Sequence, residues 1–248
     1  MSRPQDVLIR KLQEHSNLSG GDVDGLRALP MRERLLANEE DVVRQGDAPK
    51  LSAVVLDGTL ARYHTLPSGR RQYLSLHVRG DMPDAQALFL DRMDHGLCAM
   101  GDAAVLLVTH EALVSLFKKR PAAGFAVWRE TLIDAAIFRE SITNNSARSV
   151  ETRLAHFFCE QYYRSRLTGY AVPGSAKLPL TQTQLGELLG ASLPSINRAL
   201  RKLRKSGCVD FRASQIQIRN WHRLVKLGDF DPTYLHVRRL PRSAADLR

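Results

Sequence analysis

The stretch LTQTQLGELLGASLPSINRALRKLRKSG, residues 180–207, decides the fold of this chain. Its first half contains three leucines at helical spacing, Leu185, Leu188 and Leu189. Gly190 follows them, and because glycine readily adopts the left-handed backbone conformation, a tight turn is predicted there. Gly186 is small enough for the next element to approach closely. The pattern therefore predicts a helix that ends in a sharp turn, with a second helix directly after it.

The second helix is predicted over residues 192–206, with Ser192 as its N-cap and Pro194 in its first turn, where a missing backbone N–H costs little. Its apolar residues form one stripe, at Ile196, Ala199, Leu200 and Leu203. The basic side chains lie on the rest of its surface. A helix with polar and arginine side chains in its first half can lie in the major groove and reach base edges. We therefore predict a helix-turn-helix in which residues 192–206 are the recognition helix.

The basic charge of the chain is concentrated in its C-terminal part. The 248 residues include 36 Lys and Arg and 26 Asp and Glu, for a net charge of +10. Residues 1–146 hold 18 basic and 19 acidic side chains, whereas residues 147–248 hold 18 and 7, so the net charge of the second part is +11. This asymmetry predicts two domains, the second of which binds a polyanion. Charge alone does not separate DNA, RNA and an anionic membrane, but the helix-turn-helix favours DNA.

The cysteines and the apolar segments exclude several classes of protein. Cys98, Cys159 and Cys208 are far apart and form no CxxC pair, which argues against a disulfide framework or a zinc finger. Cys98 lies in a predicted core strand, where it is either an inert buried thiol or a redox switch. No N-terminal run resembles a signal peptide, and no run of about 18 apolar residues predicts a membrane span. We expect a cytoplasmic protein with no membrane partner.

The first part of the chain changes from a helical to a β pattern. Residues 1–36 predict short helices, and from Glu39 turn signals recur about every ten residues, which predicts antiparallel β-structure. Residues 72–78 alternate Leu74, Leu76 and Val78 against Tyr73, Ser75 and His77, the period of a half-buried strand. The apolar run 103–108 is predicted to close the β-domain.

A long helix is predicted after Pro121, over about residues 121–145. Side chains at alternating three- and four-residue intervals form one stripe along this helix. We call this stripe the seam, and it consists of Phe125, Trp128, Leu132, Ala135, Arg139 and Ile142. Such a seam is typical of a two-stranded coiled coil, and it predicts a homodimer. The alternative is that the seam packs on the β-domain of its own chain. The pattern breaks at residues 144–146, so we place a hinge and a domain boundary between residues 146 and 147.

A wing is predicted after the recognition helix. Residues 150–166 predict a further helix before the helix-turn-helix, and residues 208–211 and 215–218 flank a turn, which predicts a short hairpin. The order of three helices and a hairpin is that of a winged helix-turn-helix, in which Arg212 is expected to contact phosphates.

The chain as a whole resembles the CRP/FNR superfamily of bacterial transcription regulators over about residues 39–228. The resemblance rests on VVRQGD, residues 42–47, on VVLDGTLARYHTLPSGRRQYLSLHVRGD, residues 54–81, on VETRLAHFF, residues 150–158, and on the helix-turn-helix. It implies an α+β fold: an antiparallel β-roll of the cyclic-nucleotide-binding type and a long dimerisation helix in residues 1–146, and a winged helix-turn-helix in residues 147–248. It also implies a sequence-specific homodimer on a palindromic operator, with RNA polymerase as a partner if the chain activates transcription.

The resemblance also indicates which residues face DNA. Family members read bases from the start of the second helix, where a familiar Arg-Glu pair is replaced here by Leu193-Pro194, so the target sequence differs. Arg198 matches a retained arginine whose planar fork suits guanine O6 and N7, although a phosphate contact or an ion pair is the alternative. Asn197 and Ser195 are weaker candidates for base contacts. The remaining candidates hold the DNA backbone or form a solvated face: Thr181, Gln182, Arg201, Lys202 and Lys205. Thr181 also has the role of an N-cap.

The signal that the β-domain senses is not evident from the sequence. Cyclic-nucleotide binders carry a Gly-Glu pair and an Arg-Ser/Thr-Ala triplet, which fall here on Asp84-Ala85 and His95-Gly96-Leu97. Asp84 would repel a phosphate and His95 is mostly neutral at pH 7, so cyclic AMP is not the expected effector. Three cysteines are too few for an iron–sulfur cluster. His64 and His77 are candidate ligands of haem or a metal, but lone histidines outside an HxH or HxxxH pair are more often ordinary surface residues, so we expect no metal or cofactor. An unidentified small molecule is left as the candidate effector.

Two other classes of function remain as alternatives. The basic half would suit a non-specific nucleic-acid-binding protein. The β-domain would suit a metal-dependent jelly-roll enzyme, but such a site needs His and carboxylate ligands on neighbouring strands, and the sequence shows no such spacing. We therefore do not expect an enzyme.

Overall fold

A computed structural model describes residues 3–240 together with Ala244 and Leu247. The chain divides into two compact units, residues 1–135 and 136–248. This division falls within one long helix, α4 (Pro121–Ala147), which ends next to the domain boundary predicted after residue 146. That boundary stays a prediction.

The first unit contains the predicted β-domain, preceded by two short helices. In chain order its elements are α1 (Asp6–Gln13), α2 (Gly20–Arg27), β1 (Arg32–Leu36), β2 (Asp41–Val43), β3 (Leu51–Asp57), β4 (Leu60–Thr65), β5 (Arg71–His77), a 3-10 helix (Ala85–Phe89), β6 (Gly96–Ala99), β7 (Ala103–Thr109), α3 (His110–Lys119) and the first half of α4. The strands form two antiparallel sheets, in the orders β1-β7-β3 and β2-β6-β4-β5. Strand β1 begins at Arg32, so the β-structure starts earlier than the turn signals after Glu39 predicted.

Strand β7 lies at the centre of its sheet and is buried on both faces. Val105 and Leu107 pack with the residues of the opposite sheet, whereas Leu106 and Val108 pack with the helices. This two-sided burial explains why the run 103–108 is continuously apolar. The run was predicted as the strand that closes the β-domain; it is the middle strand of one of its two sheets.

The predicted alternation in residues 72–78 is wrong over its first half. Tyr73 is buried and Leu74 is exposed, the reverse of a regular strand with Leu76 inside. The register shows the reason, because Arg62 of β4 pairs with Ser75 and the next residue, Tyr63, pairs with Tyr73. Leu74 is therefore an extra residue in a β-bulge, which changes the face that the following side chains occupy. His77, expected on the surface, is buried and its Nε2 lies 3.1 Å from Ser75 Oγ.

The second unit is helical with one small sheet. Its elements are the last part of α4, α5 (Val150–Leu167), β8 (Ser175–Lys177), α6 (Gln182–Leu188), α7 (Leu193–Lys205), β9 (Val209–Arg212), β10 (Gln215–Ile218), α8 (Trp221–Gly228) and a 3-10 helix (Pro232–Leu235). The predicted hairpin is β9-β10, and β8, which the sequence did not predict, adds a third strand beside β10. The order of elements is that of a winged helix-turn-helix.

A buried ionic cluster fastens α1 to the β-domain and to α4. Lys11 Nζ lies 3.3 Å from a carboxylate oxygen of Glu14, 3.3 Å from one of Asp81 and 3.6 Å from one of Glu130. His15 Nε2 lies 2.8 Å from the second oxygen of Glu130. Burial raises the pKa of Glu14 to about 7, and the neighbouring carboxylates of Glu130 and Asp81 oppose the effect of Lys11. The folded chain therefore keeps a proton on Glu14 at mildly acidic pH and releases it near neutral pH.

Stability is expected to fall as pH rises from about 4.5 to about 7, because the folded chain retains a proton on Glu14 that the unfolded chain has released. Glu14→Gln should remove this part of the pH dependence, which amounts to on the order of 3 kcal/mol in the free energy of unfolding. Urea unfolding at about pH 5 and about pH 8 measures it. Glu111→Gln, at an exposed position of α3, is the matched control. An unchanged pH dependence in Glu14→Gln would contradict the assignment.

Candidate nucleic-acid interface

The first helix of the helix-turn-helix, α6, starts at a capping box. Thr181 Oγ1 accepts a hydrogen bond of 3.2 Å from the backbone N–H of Gln184, and the side chain of Gln184 accepts one of 2.8 Å from the N–H of Thr181. These bonds satisfy two N–H groups that a helix start otherwise leaves without partners. Thr181 and Gln182 are both exposed, so their side chains remain accessible beside the capped helix start.

The turn between α6 and α7 requires glycine at two positions. Gly190 has a φ of +59°, in the left-handed region. A Cβ atom at Gly186 would lie 2.5 Å from the carbonyl oxygen of Ala191, far inside van der Waals contact. The predicted close approach at Gly186 is thus confirmed, and the group that approaches is mainly the backbone of the turn. The sharp angle between the two helices depends on both residues.

Two side chains outside the helix-turn-helix hold its turn in place. Arg153 of α5 donates a hydrogen bond of 2.7 Å to the carbonyl oxygen of Leu189, and Asn145 at the end of α4 donates one of 3.1 Å to that of Leu188. These carbonyls lie at the end of α6, where no further helical N–H reaches them. Sequence reasoning missed both residues. The need for donors at a helix end is predictable, but the chain segment that supplies them is not.

The recognition helix α7 buries the stripe that the sequence predicted. Ile196, Ala199, Leu200 and Leu203 are all buried. On the opposite side, the first two turns carry a chain of polar contacts: Ser192 Oγ lies 3.0 Å from Ser195 Oγ, which accepts a hydrogen bond of 2.9 Å from Arg198 Nη2. Arg198 is exposed and Asn197 is half-buried. The structure thus brings Ser195 and Arg198 together on the accessible face of the helix start.

The basic residues predicted to contact phosphates lie in different settings. Arg201 and Lys205 are exposed. Lys202 Nζ lies 3.1 Å from Glu151 of α5. Arg212 Nε lies 3.0 Å from one oxygen of Asp210, and the other oxygen of Asp210 lies 2.9 Å from Arg204 Nε. The side chains of Lys202 and Arg212 are about two-thirds exposed, so these are surface ion pairs of small energy that a phosphate can replace.

The wing is a tight hairpin. Ala213 and Ser214 connect β9 to β10, and both have positive φ, +48° and +57°, as a two-residue turn between twisted strands requires. Arg212 is the last residue of β9 and is exposed beside this turn. Asp210 links the wing to α7 through its contacts with Arg212 and Arg204.

The predicted seam of α4 is exposed in the single chain. Phe125 is 65% exposed, Trp128 59%, Leu132 51% and Ile142 68%. Ala135 is half-buried and Arg139 is exposed. Residues on the other face of the same helix are buried, among them Ala126, Val127 and Ile133. The alternative in which the seam packs on its own β-domain is therefore wrong.

Polar side chains at and near the positions that cyclic-nucleotide binders use already have partners within the β-domain. The buried carboxylate of Asp84, at the position of the family's glycine, accepts a hydrogen bond of 3.0 Å from the N–H of Ala53, and burial raises the pKa of Asp84 to about 7. Arg62 is buried but its Nη1 lies 2.9 Å from Asp134 of α4, and it also donates to the carbonyl oxygen of Pro83. Burial, with the nearby charge of Arg62, lowers the pKa of His95, which therefore offers no positive charge to a phosphate near pH 7.

Cys98 and His64, the candidates for a redox switch and a metal ligand, lie in neighbouring strands of one sheet. Cys98 is fully buried in β6, and burial raises the pKa of its thiol to about 12, so its thiolate is scarce at neutral pH. His64 is half-buried in β4. Within the part of the chain that the structure describes, no group of three or more His, Cys, Asp or Glu side chains is arranged to hold a metal ion. No helix among the described residues is long and apolar enough to cross a bilayer.

Comparison with known proteins relates both parts of the chain to one family. Residues 33–120 match the model of the cyclic nucleotide-binding domain, and residues 152–227 match that of the Crp-like helix-turn-helix domain. The chain is 24% identical over 224 residues to the fumarate and nitrate reduction regulatory protein of Vibrio cholerae, which covers 90% of this chain and 89% of that protein. It is also 24% identical to the anaerobic regulatory protein of Haemophilus influenzae, over 92% of this chain and 89% of the relative.

A solved structure supports the same assignment over most of the chain. FixK2 from Bradyrhizobium japonicum superposes with a TM-score of 0.71 at 25% identity, covering 80% of this chain and 98% of FixK2. The two domain models, the relatives and the FixK2 structure all agree with the order of elements in this chain: a β-roll, a long helix and a winged helix-turn-helix. The chain therefore belongs to the CRP/FNR superfamily and is a DNA-binding transcription regulator.

Proposed function

We propose that the chain acts as a homodimer that recognises a palindromic operator through α7. The observation that carries the proposal is the exposed seam of α4, which has the spacing of a two-stranded coiled coil and lies on the same chain as an exposed recognition helix. In such a dimer the two α7 helices lie in successive major grooves, about 34 Å apart. Selection of bound fragments from random DNA tests this directly, because a recovered palindrome requires both the dimer and the reading helix.

Burial of the seam supplies the free energy for association. Phe125, Trp128, Leu132 and Ile142 are each at least half exposed in the single chain. A contiguous apolar surface of this kind on a long helix is typical of a protein interface. Arg139 reduces the apolar character of the seam near its C-terminal end, so most of the association energy is assigned to residues 125–132.

Base recognition is assigned to the first two turns of α7. Arg198 has the geometry to donate two hydrogen bonds to guanine, and the Ser195 hydroxyl already orients its guanidinium. Ser195 and Asn197 are secondary candidates. Leu193, at the first position of the helix, is 43% exposed, and an apolar side chain there suits the methyl group of thymine. This contact would take the place of the Arg-Glu pair of the family.

Affinity is assigned mainly to contacts with the DNA backbone. The candidates are the exposed helix start and the basic side chains around it: Thr181, Gln182, Arg201, Lys202, Lys205 and Arg212. The net charge of +11 in residues 147–248 supports this role, and binding is expected to weaken steeply with salt.

The effector is proposed to be something other than cyclic AMP, because Asp84, His95 and Arg62 do not offer the groups that a cyclic phosphate requires. An unidentified small molecule remains the candidate. As a regulator of transcription, the protein is placed in the cytoplasm, with double-stranded DNA and a second copy of itself as partners, and with RNA polymerase as a third if it activates transcription.

Replacing Arg198 should impair sequence recognition more than general DNA binding. Arg198→Ala is expected to reduce the free energy of binding to the selected operator by about 1 to 3 kcal/mol, with little change for mixed-sequence DNA. Arg201→Ala, which removes a proposed phosphate contact, is the matched control and should weaken binding to both kinds of DNA. Fluorescence anisotropy at several salt concentrations measures both. An equal loss on both DNAs for Arg198→Ala would show that it contacts only phosphate.

The proposed contact of Leu193 with thymine can be tested by removing the thymine methyl group from the operator. Replacing the thymine by deoxyuridine, which lacks the methyl group, should weaken binding of the wild-type chain by about fourfold, the value of one buried methyl. Leu193→Ala should bind both operators alike. If no thymine position of the operator shows this difference for the wild-type chain, Leu193 does not read a methyl group.

Polar substitutions in the seam should dissociate the dimer. Trp128→Ser combined with Leu132→Ser is expected to raise the dimer Kd by about a hundredfold or more, because both side chains would lose their apolar burial. Sedimentation equilibrium measures the Kd. Val172→Ser, which alters a valine that is 63% exposed in the second unit, is the control. A Kd unchanged by the double substitution, or a monomeric wild-type chain, would contradict the proposed homodimer.

A further inference from the structure

An apolar groove lies beside the exposed seam of α4, and no function has been assigned to it above. Its walls are the 3-10 helix Ala85–Phe89 with Leu90, the side chain of Phe117 of α3, and the first half of α4. Its volume is about 580 Å³. Within the described part of the chain, none of the side chains that line it is ionisable.

The rim of this apolar groove is unusually exposed. Phe89 is 80% exposed and Leu90 46%, and both line the groove together with Phe125 and Trp128 of α4. Isolated apolar residues on a surface are ordinary, but two aromatic rings of α4, a third on the 3-10 helix and an apolar groove between them form a continuous patch. Such a patch on a stable protein indicates a contact surface.

The groove and the proposed coiled-coil seam share two side chains. Phe125 and Trp128 belong both to the groove wall and to the seam of α4. A contact between two α4 helices alone would cover these two residues but would leave Phe89 exposed, because Phe89 lies on the 3-10 helix. A partner that approaches along α4 therefore meets the groove at the same time.

We propose that a second copy of this chain covers the apolar groove, so that the dimer contact extends from α4 onto Phe89 and Leu90. This inference rests on the homodimer proposed above. Continuity with the seam favours a second copy over an unrelated partner, and the lack of ionisable groups in the described lining favours an apolar partner surface over a nucleic acid or an acidic protein segment. In a twofold dimer each copy presents the same patch, so both grooves are covered alike.

The 3-10 helix connects the β-sheet to the proposed dimer contact. The helix directly follows Asp84, whose carboxylate is bonded to the N–H of Ala53 in β3. One end of the segment is thus fixed to the β-sheet, while Phe89 at its other end meets the second copy. A displacement of this segment would therefore act directly on the proposed contact at Phe89.

A single substitution separates this inference from the proposed dimer. Phe89→Ser is expected to raise the dimer Kd by about tenfold, since a largely exposed phenylalanine loses its burial in the interface. Leu35→Ser, at a leucine that is 75% exposed on β1, is the matched control and should leave the Kd unchanged. Circular dichroism confirms that each variant is folded. If Phe89→Ser has the wild-type Kd while the seam variant dissociates, the homodimer stands and the extended contact is refuted.

Photo-crosslinking tests the same contact without weakening it. The photoreactive residue p-benzoylphenylalanine is placed at position 89 of the full chain, and ¹⁴N- and ¹⁵N-labelled copies are mixed before irradiation. The expected product is a covalent dimer whose crosslinked peptides carry both labels. Crosslinks confined to one copy overturn the proposal. Binding of the apolar dye anilinonaphthalene sulfonate is a second test. If the wild-type dimer binds the dye in each groove and Phe89→Ser abolishes that binding, the groove is open to small molecules in the dimer. That result also overturns the proposal.

Discussion

Helix α4 carries apolar side chains on opposite faces, and its own β-domain covers only one of them. Ala126, Val127 and Ile133 are buried, whereas Phe125 and Trp128 remain more than half exposed. A helix that is apolar on both sides needs cover on both sides. The exposed second face therefore supports the proposed homodimer, in which twofold symmetry about that face would let two recognition helices meet one palindrome.

Directional contacts set which face of α4 is left free. Asp134 is paired with the buried Arg62 of β4, and Glu130 with Lys11 and His15 of α1. An apolar face alone tolerates rotation of a helix about its axis, because hydrophobic contact has no direction. Buried ion pairs do not tolerate it, since a rotation that separates them leaves charges without compensation. These two attachments therefore fix the rotation of α4, and with it the residues that it presents to a partner.

The parts of the fold that follow a local period were predictable from the sequence. The buried stripe of α7 and the seam of α4 are visible as three- and four-residue spacings, and the structure places their side chains on the expected faces. The reversal at Tyr73 and Leu74 was not predictable, because a β-bulge depends on the pairing of two strands and leaves no local pattern. Burial of His77 has a different origin: this end of β5 is buried on both faces, and His77 Nδ1 lies 4.0 Å from the carboxylate of Asp81.

The candidate site was predictable only in part. The start of α7 with Arg198 could be chosen from the sequence, because caps, turn glycines and an apolar stripe define a helix-turn-helix. Arg153 and Asn145 could not, since they reach the end of α6 from distant positions in the chain. Strand β8 was not predicted for the same reason, because its three residues acquire a strand conformation only through pairing with β10.

Two acidic side chains partly neutralise the positive charge around the recognition helix. Glu151 is paired with Lys202, and Asp210 with both Arg204 and Arg212. Non-specific binding to DNA grows with the number of phosphates that a protein neutralises, whatever their sequence. In the proposed complex each of these basic side chains would exchange its carboxylate for a phosphate, which would lower affinity for any DNA by a similar amount. Arg198 is bonded to the neutral hydroxyl of Ser195 instead, so the residue assigned to base recognition does not have to break an ion pair with these acids. With the proposed assignment of contacts, this distribution of carboxylates would weaken backbone contacts more than base contacts, and the ratio of specific to non-specific binding determines how well a regulator finds its operator.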